Sequence, residues 1–122
     1  MSKSLAACLL GFLALGCGSN YAQVEGQVRC DGKPLPMAQV MFAPQKGPAS
    51  GGLTDENGRY RLMTRRPGDG VPFGSHRVSI APADPVQHPL PIADKYHSVD
   101  TSGLTAEVKP GDNVLDFDIP KK

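Results

Sequence analysis

Three histidines, His76, His88 and His97, are the natural candidates for acid–base or metal chemistry in this 122-residue chain, because an unperturbed imidazole titrates near neutral pH. Ser75 stands beside His76, the residue types a hydrolase would combine. In a strand, however, adjacent side chains point to opposite faces, so Ser75 and His76 cannot form a dyad, and Ser79 also faces away from His76. Asp94 and His97 have the i, i+3 spacing that would let a helical turn present both to zinc or copper, with His88 earlier in the same segment. The simpler reading of these three is the polarity of an exposed loop. Asp55-Glu56-Asn57-Gly58 has the outline of a calcium loop but lacks the third ligand position and the closing glutamate. It reads as a turn. Arg59 and Arg61, with Arg65 and Arg66, form a local basic patch across one hairpin. Such a patch suits a phosphate or an anionic glycan, or is simply a solvated face. No catalytic group, metal or cofactor is assigned from these residues.

The elements that must position them are short. Fourteen glycines and 12 prolines punctuate the chain, without the period of collagen or the excess of a low-complexity sequence. Hydrophobic residues make 39% and charged residues 20%, enough for one small core and too little chain for two domains. Aromatic residues make 6% and tryptophan is absent, which argues against a broad aromatic binding platform. A formal net charge of +1 gives no reason to expect nucleic acid as a partner.

Period-two alternation with turn signals at close intervals predicts strands over 23–30, 39–43, 53–54, 59–64, 73–81, 104–109 and 114–119. Asp31-Gly32 is a hairpin pair, and Pro34 and Pro36 keep their segment out of a central strand. The expected fold is all-β: a seven-stranded antiparallel two-sheet sandwich. Its expected core is Val24, Val28, Val40, Phe42, Tyr60, Leu62, Val78, Ile80, Val108, Leu115, Phe117 and Ile119. Residues 83–103 form a long proline-rich loop. A short helical turn is expected near Ile92, with Tyr96 packed on the sandwich. A structureless stretch of this length is unusual in a compact domain, which makes it the first place to look for function.

The first residues differ from the rest. Lys3 precedes an apolar run from Leu5 to Leu15, too short to span a bilayer and of the length of a signal-peptide core. The run ends Leu13-Ala14-Leu15-Gly16-Cys17. This junction resembles the lipobox of bacterial lipoproteins, although Leu13 lies one place earlier than the usual pattern prefers; the alternative is an ordinary signal peptide cut near Asn20-Tyr21-Ala22. The resemblance implies a signal over 1–16, lipidation of Cys17, and a tether completing 17–22 ahead of a domain over 23–120. Gly18 in place of an aspartate mildly favours the outer membrane. Losing Lys3 leaves 12 basic side chains against the 12 acidic ones. Cys30 is then the only free thiol, read as a small buried apolar residue.

Val24-Glu25-Gly26-Gln27-Val28, Asp31-Gly32-Lys33-Pro34-Leu35 and Thr54-Asp55-Glu56-Asn57-Gly58-Arg59-Tyr60 together resemble the carboxypeptidase regulatory-like domain. That domain is a transthyretin-like (prealbumin-like) β-sandwich. The chain is most similar to short planctomycete lipoproteins, through Lys95-Tyr96 and Thr101-Ser102-Gly103-Leu104-Thr105 as well. The resemblance implies a non-catalytic module of the cell envelope. Its partners would be the membrane, through the lipid, and an envelope protein. The alternative is a glycan, small-ligand or metal-binding module using the 83–103 loop, with His88, Asp94, Lys95, Tyr96 and His97 as the contact residues.

Overall fold

The computed structural model describes residues 20–122; the expected signal and Cys17 lie outside the described residues. Ten strand segments follow in order: β1 (Tyr21–Cys30), β2 (Lys33–Pro34), β3 (Ala38–Pro44), β4 (Ser50–Leu53), β5 (Arg59–Arg61), β6 (Val71–Pro72), β7 (Gly74–Pro82), β8 (Leu104–Val108), β9 (Asp112–Val114) and β10 (Phe117–Ile119). They form two sheets, one of six strands and one of four. The molecule is an all-β sandwich.

The first sheet is built on β1. Along one side, β6, β5 and β2 pair with it antiparallel; along the other, β9 and β10 pair with it parallel. The expectation of seven strands, all antiparallel, is therefore corrected on both counts. Alternation reports which face a side chain occupies but not which way its strand runs. The count rises because β1, ten residues long, is flanked by fragments. Glu25 pairs with Val114 and Val28 with Phe117 at the same register offset. Segments β9 and β10 are thus one strand interrupted at Leu115-Asp116, where the Asp116 carboxylate takes the Gln27 N–H at 2.8 Å.

Two boundaries also move. Tyr21 and Ala22 belong to β1 rather than to a tether, and Ala22 is buried. Strand β4 begins at Ser50, inside a stretch expected to be loop, and pairs with β3 along its length. Gly52 permits this. Gly51 exchanges hydrogen bonds with Met63 at 2.9 and 3.0 Å, which joins the two sheets at one corner. A Cβ on Gly52 would lie 2.3 Å from the Arg61 carbonyl oxygen.

The second sheet has the order β4-β3-β7-β8 and is wholly antiparallel. Its strands β3 and β7 send Val40, Phe42, Val78 and Ile80 into the core, all fully buried, to meet Val24, Val28, Tyr60 and Leu62 from the first sheet. Of the expected core, Leu115 and Phe117 are only half-buried and pack at its margin. Leu35, Ala38, Val71, Ile92 and Tyr96 join it instead. Asp31 and Gly32, with φ of 49° and 83°, make the two-residue reversal from β1 into β2 that an Asp-Gly pair favours. Asp55 accepts the N–H groups of Asn57 and Arg59, both at 2.9 Å, on one carboxylate oxygen. Its segment is a side-chain-braced turn.

Candidate functional site: a cleft between two Pro-Leu-Pro walls

The long loop divides into two parts. Its second half is fastened to the sandwich: Asp94–His97 form one 3-10 turn, and Tyr96 is buried. The turn packs against β7. Ser102 Oγ donates to the Val78 carbonyl, and Arg77 pairs with Asp100 at 2.6 Å. Lys95 stands 5.0 Å above the Tyr96 ring, a cation–π contact. His97 Nδ1 lies 4.0 Å from Asp94 Oδ1. No group of three or more His, Cys, Asp or Glu side chains gathers among the described residues.

His88 is separated from that turn. A turn held by Asp84, whose carboxylate takes the N–H groups of Val86 and Gln87, leads through His88 to Pro89, Leu90 and Pro91. These residues face Lys33, Pro34, Leu35, Pro36 and Met37 across a cleft of about 620 Å³, with Cys30, Asp31 and Lys121 also lining it. The five contact residues expected in this loop therefore do not act together. His88 is on the cleft; Asp94, Lys95, Tyr96 and His97 are not.

The cleft is lined by the same tripeptide twice, Pro34-Leu35-Pro36 and Pro89-Leu90-Pro91. The repetition stands in the sequence, but only the fold shows that the two copies oppose each other. Part of their backbone is engaged. Leu35 N–H donates to Val28 O at 2.9 Å, and Leu35 O accepts the Thr54 hydroxyl at 2.8 Å. Pro91 O accepts the Lys122 N–H at 2.9 Å. Proline contributes no N–H of its own. The prolines and leucines give the walls apolar surface, and Asp31, Lys33, His88 and Lys121 add polar groups to the lining.

The arginine patch also divides. Arg59 and Arg61 share β5, where Arg61 is paired with Glu25 at 2.7 Å. Arg65 and Arg66 lie in the next loop, wrapped around Asp69, whose carboxylate accepts the N–H groups of Thr64, Arg65 and Arg66 at 2.8, 2.8 and 3.1 Å. Those three bonds, chiefly, hold the Asp69 carboxyl below its ordinary value. The loop's backbone donors already hold an anion, and it is part of the chain.

The remaining reactive groups are not joined by hydrogen bonds to one another. Ser75 Oγ donates to Glu107 on the exposed side of β7 at 2.7 Å. His76 is buried beside Phe42, with ring centroids 5.6 Å apart, and its Nε2–H donates to Pro72 O at 2.8 Å. Ser79 is buried, although alternation sends it outward. Cys30 is buried; burial, then the Asp31 carboxylate, pushes its thiol up, with Lys121 opposing. A second concavity of about 710 Å³ is lined by Ser75, His76, Arg77, Thr105 and Glu107 among others; Ser75 pairs there with Glu107 and Arg77 with Asp100, while the buried His76 Nδ1 has no hydrogen-bond partner.

Fold and cleft together describe an all-β sandwich with a surface recess. The chain is similar in structure to a DUF3823 family protein from Parabacteroides merdae, with a TM-score of 0.54 and 13% identity. The match covers 84% of this chain and 47% of that one, so this chain spans about half its length. At that identity the likeness concerns the fold alone. No protein-family model matches the chain, and no curated protein matches it.

Proposed function

We propose that the chain is a non-catalytic, lipid-anchored β-sandwich module of the cell envelope, of the transthyretin-like, carboxypeptidase regulatory-like type. Cys17 carries the anchor, and the sandwich stands at the membrane surface for a structural or protein-contact role. The outer membrane is the favoured site, from Gly18. The observation that carries the non-catalytic reading is the separation of the reactive side chains. Ser75 and His76 occupy opposite faces of β7, His76 is bonded to Pro72 within the core, and Cys30 is buried with a raised pKa. The Asp31-Gly32 and Asp55 turns, which carry the resemblance, fold as tight reversals, and this supports the assignment of type.

Membrane fractionation of cells expressing the full chain tests the anchor. The native protein is expected with membranes, and Cys17→Ala in the soluble fraction. Unchanged membrane partition of Cys17→Ala overturns it. Cross-linking in native membranes tests the contact role: a discrete adduct with an envelope protein is expected, and its absence counts against that role.

A further inference from the structure

We propose that the end of the sandwich that carries Asn20 docks on the anionic phospholipid headgroups of the membrane, through the loop of Arg65 and Arg66. This deepens the anchored-module reading and rests on it. Strand β1 starts at Tyr21, and the Asn20 carbonyl accepts the Phe73 N–H at 2.9 Å. The chain is therefore fastened to the sandwich from residue 20 onward. Residues 18 and 19 are all that separates Asn20 from Cys17. Three Cα steps reach at most about 11 Å, so a lipid on Cys17 holds this end of the sandwich against the headgroups.

The topology decides which groups come with it. Tyr21 pairs with Pro72 and Gln23 with Asp112; Pro44 pairs with His76 and Gly74 with Val108. Loops 45–49, 65–70 and 109–111 therefore lie at the Asn20 end. They carry Lys46, Arg65, Arg66 and Lys109, all exposed, against Asp69, with Asp112 just beyond. On the strands beside them, Glu107 is bonded to Ser75 and Glu25 is paired with Arg61. The loops at the opposite end carry Asp31, Asp55, Glu56 and Asp84 against Lys33, Lys121 and Lys122. The balanced charge of the chain beyond Cys17 is thus polarised, with its basic end towards the anchor.

Arg65 and Arg66 are the best placed of these cations. They line a concavity of about 300 Å³ with Tyr21, Thr64 and Asp69. Asp69 spends Oδ1 on the Thr64 N–H and Oδ2 on those of Arg65 and Arg66. It feels the Arg66 charge, yet among the described residues no carboxylate lies within ion-pair distance of either guanidinium. A guanidinium presents a planar fork of donors that matches a phosphate. Tyr21, 38% exposed, stands beside them, and tyrosine suits the boundary between headgroups and acyl chains. Attraction to a charged surface fades within about a Debye length, so it acts here because the link to Cys17 is short. The anchor also makes headgroups the anion at high effective concentration, which commits the loop to lipid rather than to dissolved phosphate.

The chain has no tryptophan, so one introduced tryptophan reports alone. Pro67→Trp places it in the exposed turn after Arg66. Val86→Trp, at a residue 87% exposed, places it in a loop at the opposite end. The protein extracted from membranes is reconstituted in phosphatidylcholine vesicles with and without phosphatidylglycerol, with headgroup-spin-labelled lipid as quencher. Pro67→Trp should be quenched in the phosphatidylglycerol vesicles and little in phosphatidylcholine alone, and Val86→Trp in neither. Adding Arg65→Gln and Arg66→Gln should lower the ratio of docked to free loop by a factor on the order of ten, while the amount of protein held by the vesicles stays the same. Should Pro67→Trp fail to fold, Gln45→Trp in the neighbouring exposed loop gives the same reading. Equal quenching at the two ends overturns the docking. So does quenching that ignores phosphatidylglycerol or the arginines, or release of the loop by inorganic phosphate at constant ionic strength. A protein that stays with neither kind of vesicle overturns the anchor itself and this proposal with it, so the two failures are read separately.

Discussion

The Tyr60 hydroxyl donates a 2.6 Å hydrogen bond to the carbonyl oxygen of Leu115, 55 residues away. That carbonyl sits at the interruption between β9 and β10, and it also fills the space where Gly26 lacks a side chain. A Cβ on Gly26 would lie 1.9 Å from the same oxygen. One contact thus locks β5, the centre of β1 and the carboxyl-terminal strand together. Tyr60→Phe removes the donor and keeps the ring, and is expected to cost about 1–3 kcal/mol, read by urea unfolding. Gly26→Ala should cost more, because two backbones must separate. Burial, then the Asp116 charge, raise the Tyr60 pKa above its ordinary 10.0. Above that pH the folded state holds a proton that the unfolded state has released, so stability falls as pH rises. Tyr60→Phe should flatten this alkaline loss; an unchanged profile would remove Tyr60 as its source.

The sequence makes Tyr60 a core residue, but that reading does not contain the bond. Alternation along β1, β3 and β7 is strong because each has one face in the core. The Asp31-Gly32 and Asp55 turns are equally legible because their chemistry is local. The parallel direction of β9 and β10 is not, since a parallel partner leaves the same in-out pattern as an antiparallel one. Nor is the cleft: its walls lie about 55 residues apart in sequence, Pro34 to Pro89, and meet only through the fold. Residues His88 and Asp94–His97 look like one cluster in the chain. They separate because Asp84 holds the first part in a turn while Tyr96 anchors the second in the core.

Core losses should follow burial rather than alternation. Phe42 is fully buried and meets Phe117 edge-on at 6.2 Å. Phe42→Ala should cost about 3–5 kcal/mol, a large share of the stability of an ordinary domain. Phe117→Ala should cost clearly less, since Phe117 is half-buried at the core margin. Denaturant midpoints of the two variants decide the order, and the reverse ranking would contradict the core drawn here.

Asp69 should govern the order of its own loop in acid. Its carboxyl is held below the ordinary 3.8, first by the bonds from Thr64 and Arg65. The stabilisation is therefore complete above that value and is lost as pH falls through the lower, folded value. Amide hydrogen exchange at Thr64, Arg65 and Arg66 should accelerate on acidification beyond the intrinsic trend. Asp69→Asn should expose the same amides already at neutral pH. Protection surviving in Asp69→Asn would show that another group holds the loop.

Cys30 should be silent in the native state. It is buried, and its thiol is raised, so little thiolate is available to react. Iodoacetamide at neutral pH is expected to leave Cys30 unlabelled in folded protein and to label it in denaturing urea, as read by peptide mass spectrometry. Rapid native labelling would place the thiol in open solvent and require the cleft floor to be redrawn.

Thr54 connects the fold to the cleft. Its hydroxyl donates to Leu35 O at 2.8 Å and accepts the Ala38 N–H at 2.9 Å, so one buried side chain pins both ends of the turn that carries Pro36 and Met37. That turn is awkward without it, since Met37 has a φ of 61°, a conformation β-substituted residues resist. Thr54→Val keeps the shape and removes both bonds, leaving a buried N–H and a buried carbonyl unpaired at about 1–3 kcal/mol each. Thr54→Ser restores the hydroxyl and should recover most of the loss in urea unfolding. If valine and serine behave alike in urea unfolding, the turn is held by packing alone and the hydroxyl has no part in it.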